Sequence, residues 1–142
     1  MDTKQLLMAA RAARHQAYAP YSKFYVGAAL LAASGALYTG SNIENSSFSG
    51  TLCAERVAML KAVSTGERSF KALAMVTSSN TLIYPCGICR QALSEFGLDV
   101  RVILGKSDPV YDEQAPAYSL RELCPHPFLE FERCEQGFPP FN

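Results

Sequence analysis

The sequence predicts an α/β fold: a three-layer sandwich with a mixed five-stranded sheet, begun by a β-hairpin, and helices on both faces. Three observations predict it. Two apolar runs, "FYVGAALLAA" (24–33) and "ALYTGSNI" (36–43), are split by a Ser-Gly turn, the pattern of a hairpin. A strand–helix–strand order follows between residues 71 and 105, and such a crossover makes its two strands parallel. Apolar residues at helical spacing before and after the hairpin supply the outer layers.

Taken in order, Leu6, Leu7, Ala10, Ala13 and Ala17 predict an amphipathic helix over residues 3–17, stopped by Pro20. The hairpin comes next, then a polar loop, "ENSSFSG" (44–50). Thr51 is the expected N-cap of a helix that Val57, Leu60 and Val63 line on one face and that Gly66 ends. "FKALAMVTSS" (70–79) is a strand. After "NTLIY", Pro85 precedes a helix to about Phe96 with Gly97 as its C-cap, and "DVRVILG" (99–105) is the next strand. From Ser107 the chain is Pro-rich. "SLREL" is a helical turn and "GFPPFN" a loose tail. Pattern alone therefore locates four strands of the expected five.

The 142 residues are enough for one domain, 1–142, with a real core. Hydrophobic residues are 49% and charged residues 18%, ordinary for a globular chain. The formal net charge is +0 and no basic stripe is visible, so a polyanion such as duplex nucleic acid is a poor partner. A small uncharged or zwitterionic ligand fits better. "MDTKQLLMAARAARHQAY" does not read as a signal peptide, and no apolar run is long enough to span a bilayer. A cytoplasmic location without membrane attachment is the expectation. Five cysteines, an odd number, then favour metal or redox chemistry over a disulfide framework.

Two stretches carry the chemistry. "PCGICRQAL" sets Cys86 and Cys89 three apart at a helix start, with both sulfurs on one side. Zinc takes thiolates at about 2.3 Å, and a helix N-terminus favours the thiolate over the thiol. A dithiol redox pair or two buried small hydrophobes give the same spacing. "TLCAERVAML" adds Cys53 at a second helix start, with Glu55 and Arg56 beside it. Three thiolates with one open position is a catalytic zinc pattern, and a carboxylate near it is a proton shuttle candidate. Glu55 also suits a first helical turn on dipole grounds alone. Three thiolates around Zn²⁺ leave a charge of about −1, which Arg56 or Arg90 could temper. Cys124 or Cys134 could instead close a Cys₄ structural site. His15 and His126 read as surface residues.

At these residues the chain resembles the zinc-dependent cytidine deaminases, whose two segments read C-A-E-R and P-C-G-x-C-R-Q. "APYSKFYVGAAL" (19–30) and "TGSNIENSSFSGTLCAER" (39–56) follow the same family pattern. The resemblance covers residues 3–128, leaving 129–142 as a tail. It is closest to the small homotetrameric branch, with three cysteines and no histidine ligand. The resemblance implies one zinc per chain on Cys53, Cys86 and Cys89, and Glu55 as catalytic acid and base; on charge balance, Arg56 is the residue expected to offset the thiolates. It implies Phe24 stacked on the pyrimidine, Asn42 and Glu44 on the ribose 3′-hydroxyl, and the Ala54 N–H on the base carbonyl. Phe128 resembles an aromatic that enters a neighbouring subunit's site. The implied reaction is hydrolysis of cytidine and deoxycytidine to uridine and deoxyuridine in pyrimidine salvage. Three positions depart from the pattern: Phe48 replaces a tyrosine, Tyr84 a small hydroxyl residue and Cys124 a leucine. Other readings of the same residues are a closed Cys₄ binding module, a deaminase of another aminopyrimidine or of RNA, and a dithiol oxidoreductase.

Overall fold

The computed structural model describes residues 1–129. Helix α1 (Thr3–Arg14) opens on an Asp2 capping box, in which Asp2 accepts from the Gln5 N–H and Gln5 from the Asp2 N–H. Strands β1 (Val26–Ala32) and β2 (Leu37–Ser41) form the hairpin. Helix α2 (Ala54–Ser64), strand β3 (Phe70–Thr77), helix α3 (Gly87–Ser94) and strand β4 (Arg101–Gly105) follow. The short strand β5 (Ala117–Ser119) runs directly into the four-residue helix α4 (Leu120–Leu123).

The strands lie in the order β2-β1-β3-β4-β5. Among the described residues only the strands β3 and β4 pair in parallel, joined through α3, so the sheet there is mixed and five-stranded, as expected. Alternation along the strands divides the core. Val26, Ala28, Leu30, Leu73, Met75, Val102 and Leu104 face Ala54, Ala58 and Leu93 of α2 and α3. Ala29, Ala72, Ala74, Val76 and Ile103 face Leu6, Leu7 and Ala10 of α1. Among the described residues no helix is long and apolar enough to cross a membrane.

Several boundaries differ from the sequence reading. α1 ends at Arg14 because Tyr18 leaves the helix to bridge Ile43, its N–H donating to the Asn42 carbonyl. β1 starts at Val26 because the Asn42 side chain takes over the pairing before it, accepting from the Val26 N–H and donating to the Phe24 carbonyl. The N-cap of α2 is Cys53, not Thr51, which instead follows a 3₁₀ turn at Phe48–Gly50. α3 stops at Ser94, and Gly97 takes its positive φ of 118° two residues beyond the Glu95 cap. β5 has only three residues, too few for a visible period, and pairs antiparallel with Arg101–Ile103.

One edge of this sheet gathers the ends that matter. Val26 lies opposite Thr77 and Gly27 opposite Ser41, so the start of β1 and the ends of β2 and β3 coincide. The N-termini of α2 and α3 meet at that edge, beyond the C-terminal ends of the parallel pair. Gly40 lets α2 approach: a Cβ there would lie 2.6 Å from the Ala58 nitrogen and closer still to the Ala54 carbonyl oxygen. Gly40→Ala is therefore expected to lose about 3 kcal/mol by overpacking against backbone. A urea unfolding midpoint equal to that of the unmodified chain would refute this contact.

Candidate active site

Both cysteine motifs begin their helices in the same way. Cys53 is the N-cap of α2 and Cys86 the N-cap of α3, each in extended conformation, and neither side chain caps its own helix. Their sulfurs turn toward each other instead, 3.7 Å apart. Cys89, buried in the first turn of α3, completes a cluster whose three sulfurs all lie within 4.8 Å of one another. Zinc–thiolate bonds of about 2.3 Å arranged as a tetrahedron separate sulfurs by roughly 3.8 Å. The cluster therefore has the dimensions of a three-thiolate site.

The electrostatics also fit a cation. Interaction with Cys89 and with Arg56 draws the Cys53 thiol down to about 5, while the same interaction with Cys53, together with burial, pushes the Cys89 thiol up. The protons are thus unequally shared by sulfurs too close to ionise together. A divalent cation would relieve that repulsion. The Arg56 guanidinium lies against the cluster, with Nη2 3.9 Å from the Cys53 sulfur and 3.1 Å from the Thr51 carbonyl oxygen. Its Nε is buried without a hydrogen-bond partner among the described residues. Arg90 faces elsewhere: Nε donates to the Pro85 carbonyl at 2.7 Å and Nη1 to the Leu123 carbonyl at 3.0 Å. Of the two arginines considered from sequence, Arg56 is the one beside the sulfurs.

A cavity of about 260 Å³ opens beside the cluster. Cys53, Ala54, Glu55 and Cys86 line it together with Phe24, Asn42 and Glu44. Glu55 is only 3% exposed. Burial, reinforced by the negative charge on Cys53, raises its carboxyl to about 7. Glu44 behaves oppositely. The Ser22 hydroxyl and the N–H groups of Ser22 and Tyr21 donate to its carboxylate and hold it below the usual range. Asn42 is buried and already spends one donor and one acceptor on the backbone of β1, leaving one of each for a ligand.

Phe128 stands apart. It does not line this cavity and is 67% exposed, with its backbone held by Gln91. Cys124 caps α4 and is not in the sulfur cluster, and neither are His15 and His126. Cys134 lies outside the described residues. Sequence reading missed Ser22, whose hydroxyl orients Glu44 across 22 positions, a pairing no local pattern signals. It also missed Leu52, Met75 and Ile83, which wall the cavity as ordinary apolar residues. At the departures from the family pattern, Phe48 packs edge-on against Tyr21, and the Tyr84 hydroxyl meets that of Tyr118 at 3.0 Å.

Residues 1–106 match the model of the cytidine and deoxycytidylate deaminase zinc-binding region. The chain belongs to this deaminase family. A cytidine deaminase of Sporosarcina psychrophila is 58% identical over 96 residues, 68% of this chain and 71% of that protein. A probable cytidine deaminase of Dictyostelium discoideum is 44% identical over 108 residues, 75% of this chain and 73% of that protein. The crystal structure of cytidine deaminase from Burkholderia pseudomallei superposes with a TM-score of 0.83 at 40% identity, covering 90% of this chain and all (100%) of that one. That from Mycobacterium tuberculosis gives 0.76 at 37%, covering 90% and 98%. Zinc is the metal of this deaminase family, and the three-sulfur cluster suits it.

Metal analysis separates an open site from a closed one. About one zinc per chain is expected, as three thiolates and an open position require. Cys86→Ser and Cys89→Ser should lose it, whereas Cys124→Ser should keep it. Loss of zinc from Cys124→Ser would make the site a closed structural one.

Proposed function

We propose that the protein hydrolyses the 4-amino group of cytidine and deoxycytidine, giving uridine or deoxyuridine and ammonia, as a step of pyrimidine salvage. The observation that carries this reading is the buried Glu55 carboxyl beside three clustered cysteines, in a cavity that Asn42 and Glu44 also line. The cytidine deaminase names of its relatives support the same reading.

Cys53, Cys86 and Cys89 would hold zinc, which when bound supplies the Lewis acidity that makes a water nucleophilic at neutral pH. Glu55 moves the protons. It takes one from the attacking water as the C4–O bond forms and gives it to N3 of the ring. It then carries the remaining hydroxyl proton to the amine, so that the C4–N bond breaks and ammonia leaves. Burial suits the group to both roles, because its carboxyl sits near neutrality rather than in the usual carboxylate range. Arg56, whose guanidinium lies against the Cys53 sulfur, offsets the thiolate charge.

The remaining residues orient the substrate. Phe24 offers its ring to the pyrimidine, and the Ala54 N–H, at the first turn of α2, takes the base carbonyl; that both residues line the cavity supports this. Asn42 and Glu44 take the ribose 3′-hydroxyl, Glu44 as an ionised acceptor. A pocket with these groups rejects free cytosine, which would leave them unpaired. Neutral net charge favours the free nucleoside over nucleic acid. The same reading takes the chain as a single deaminase-like domain, working in the cytoplasm as a homotetramer with sites at subunit interfaces. Exposed Phe128, outside its own chain's cavity, suits a residue that serves a neighbour.

The deciding experiment is the absorbance change of cytidine on adding zinc-analysed protein. A fall matching uridine formation is expected. No change with cytidine or deoxycytidine at full zinc occupancy would overturn the assignment. Glu55→Gln should retain zinc and lose about 10²–10⁴-fold in kcat, the range of general acid–base catalysis. A rate within a few-fold of the unmodified enzyme would remove Glu55 from that role. Asn42→Ala should raise KM for cytidine by roughly tenfold, the loss of a buried hydrogen bond. An unchanged kcat/KM would take Asn42 out of the ribose site.

A further inference from the structure

One wall of the cavity is held by side chains alone. Leu82, Ile83 and Tyr84 lie between β3 and α3, and Ile83 and Tyr84 line the cavity. Among the described residues, Leu82, Ile83 and Tyr84 make no hydrogen bond through their backbone. Neither a ladder nor a helix fixes this stretch, and backbone of that kind opens easily unless something else pins it. Leu82 packs against the core, and Pro85 is fully buried. Tyr84 supplies the remaining hold. Its hydroxyl meets the Tyr118 hydroxyl at 3.0 Å, and the two rings lie 5.6 Å apart at a tilt of 50°.

Tyr118 is itself firmly placed. It lies in β5 opposite Val102 of β4 and packs against the core on the α2 and α3 side. Ser119 follows it at once, and the Ser119 capping box starts α4. The hydroxyl pair therefore ties irregular backbone to an element that a ladder, the core and a helix cap all fix. The tied stretch leads into the sulfur cluster. Tyr84 precedes Cys86 by two residues, a span of at most about 7 Å. At position 84 the family pattern has a small hydroxyl residue, too short to reach Tyr118, so this hold belongs to the present chain.

We infer that Tyr118 is a positioning residue for the reaction: through the Tyr84 hydroxyl it holds the cavity wall at residues 82–84 where the substrate meets it. This rests on the reading of the cavity as the nucleoside site. Tyr118 neither lines the cavity nor belongs to the sulfur cluster, so it acts only through Tyr84. Its contribution is to binding, because a wall fixed beforehand need not be ordered when the substrate arrives.

Two measurements on the zinc-loaded protein test it. The first is native-state cleavage by subtilisin between residues 80 and 85, read by mass. Tyr118→Phe and Tyr84→Phe keep both rings and remove one hydroxyl each. Each should speed that cleavage about fivefold, as loss of one hydrogen bond allows, with the urea midpoint unchanged. The second is steady-state kinetics with cytidine. Tyr118→Phe should raise KM about fivefold with kcat and zinc content within about twofold, a loss of uniform binding. Tyr84→Phe should match it, and the double variant should be no worse than either single one, since each hydroxyl acts only through the other. Unchanged cleavage in both single variants overturns the inference, and so does an unchanged KM where cleavage quickens. A raised KM in Tyr84→Phe that Tyr118→Phe does not share, or additive effects in the double variant, overturns it as well. Failure of the unmodified zinc-loaded protein to deaminate cytidine refutes the nucleoside reading itself, and the role of Tyr118 falls with it even if cleavage quickens.

Discussion

Three sulfur atoms share a space in which no two are more than 4.8 Å apart, and the rest of the site is arranged around that crowding. Thiolates so close repel, and the fold answers with every source of positive potential within reach. Two helix N-termini converge on them, one for each motif. A guanidinium lies alongside. A cation among the sulfurs would complete the balance. The arrangement has a local cost. N-caps normally carry an oxygen that accepts from the first turn, and a cysteine that turns its sulfur away forgoes about 1 kcal/mol at each helix. Thr51, an ordinary capping residue, stands two positions before Cys53, but α2 does not start there. Its hydroxyl accepts from the Asn45 N–H and its carbonyl from Arg56. The helix begins where the sulfur has to be.

The same convergence explains why two carboxyls in one cavity behave differently. Glu55 follows Cys53 by two residues into a first turn pressed onto the sheet at Gly40, so it is almost wholly desolvated and near a thiolate. A first-turn glutamate at a helix surface would be held ionised by the dipole; here burial wins. Glu44 sits in a loop, supplied with a hydroxyl and two backbone N–H groups, and stays ionised. The same cavity thus has one carboxyl that can exchange protons near neutrality and another that is a fixed acceptor. Two carboxyls whose surroundings push them apart in this way can take different roles toward one ligand.

Much of this was legible in the chain because it is local or periodic. The hairpin, the parallel crossover and the cysteine spacing each depend mostly on residues close in sequence, and each is present, with shifts of a few residues at the element ends. What was not legible depends on distant partners. Helical propensity and Thr51 suggested one start for α2, and a contact 33 residues away set another. β1 was read two residues too early because Asn42, 16 positions on, replaces its first ladder bonds with side-chain ones. β5 has no pattern of its own and exists because β4 offers an unpaired edge. Ser22 and Gln91 act through single side chains on distant backbone or carboxylate, which leaves no trace in periodicity.

The two motifs are alike in a further respect, and it bears on why the cluster stops at three. Counting from each N-cap cysteine, the third residue into the helix is Arg56 in α2 and Cys89 in α3. Both turn toward the sulfurs: Cys89 as one of them, Arg56 with its guanidinium against Cys53. Residues three apart in a first helical turn share a face, so the position is equivalent in the two helices. A thiolate in both would make a four-sulfur site, closed and doubly negative around zinc, suited to structure rather than chemistry. With arginine in one, the cluster has three ligands, a compensating charge and room for a fourth group from outside. Arg90 shows how strict the geometry is. One residue further along its helix, it is turned by about 100°. It no longer meets the sulfurs and instead bonds the Pro85 and Leu123 carbonyls. A single step along the helix separates a guanidinium that lies against the sulfurs from one that fastens the loop leading into the cluster.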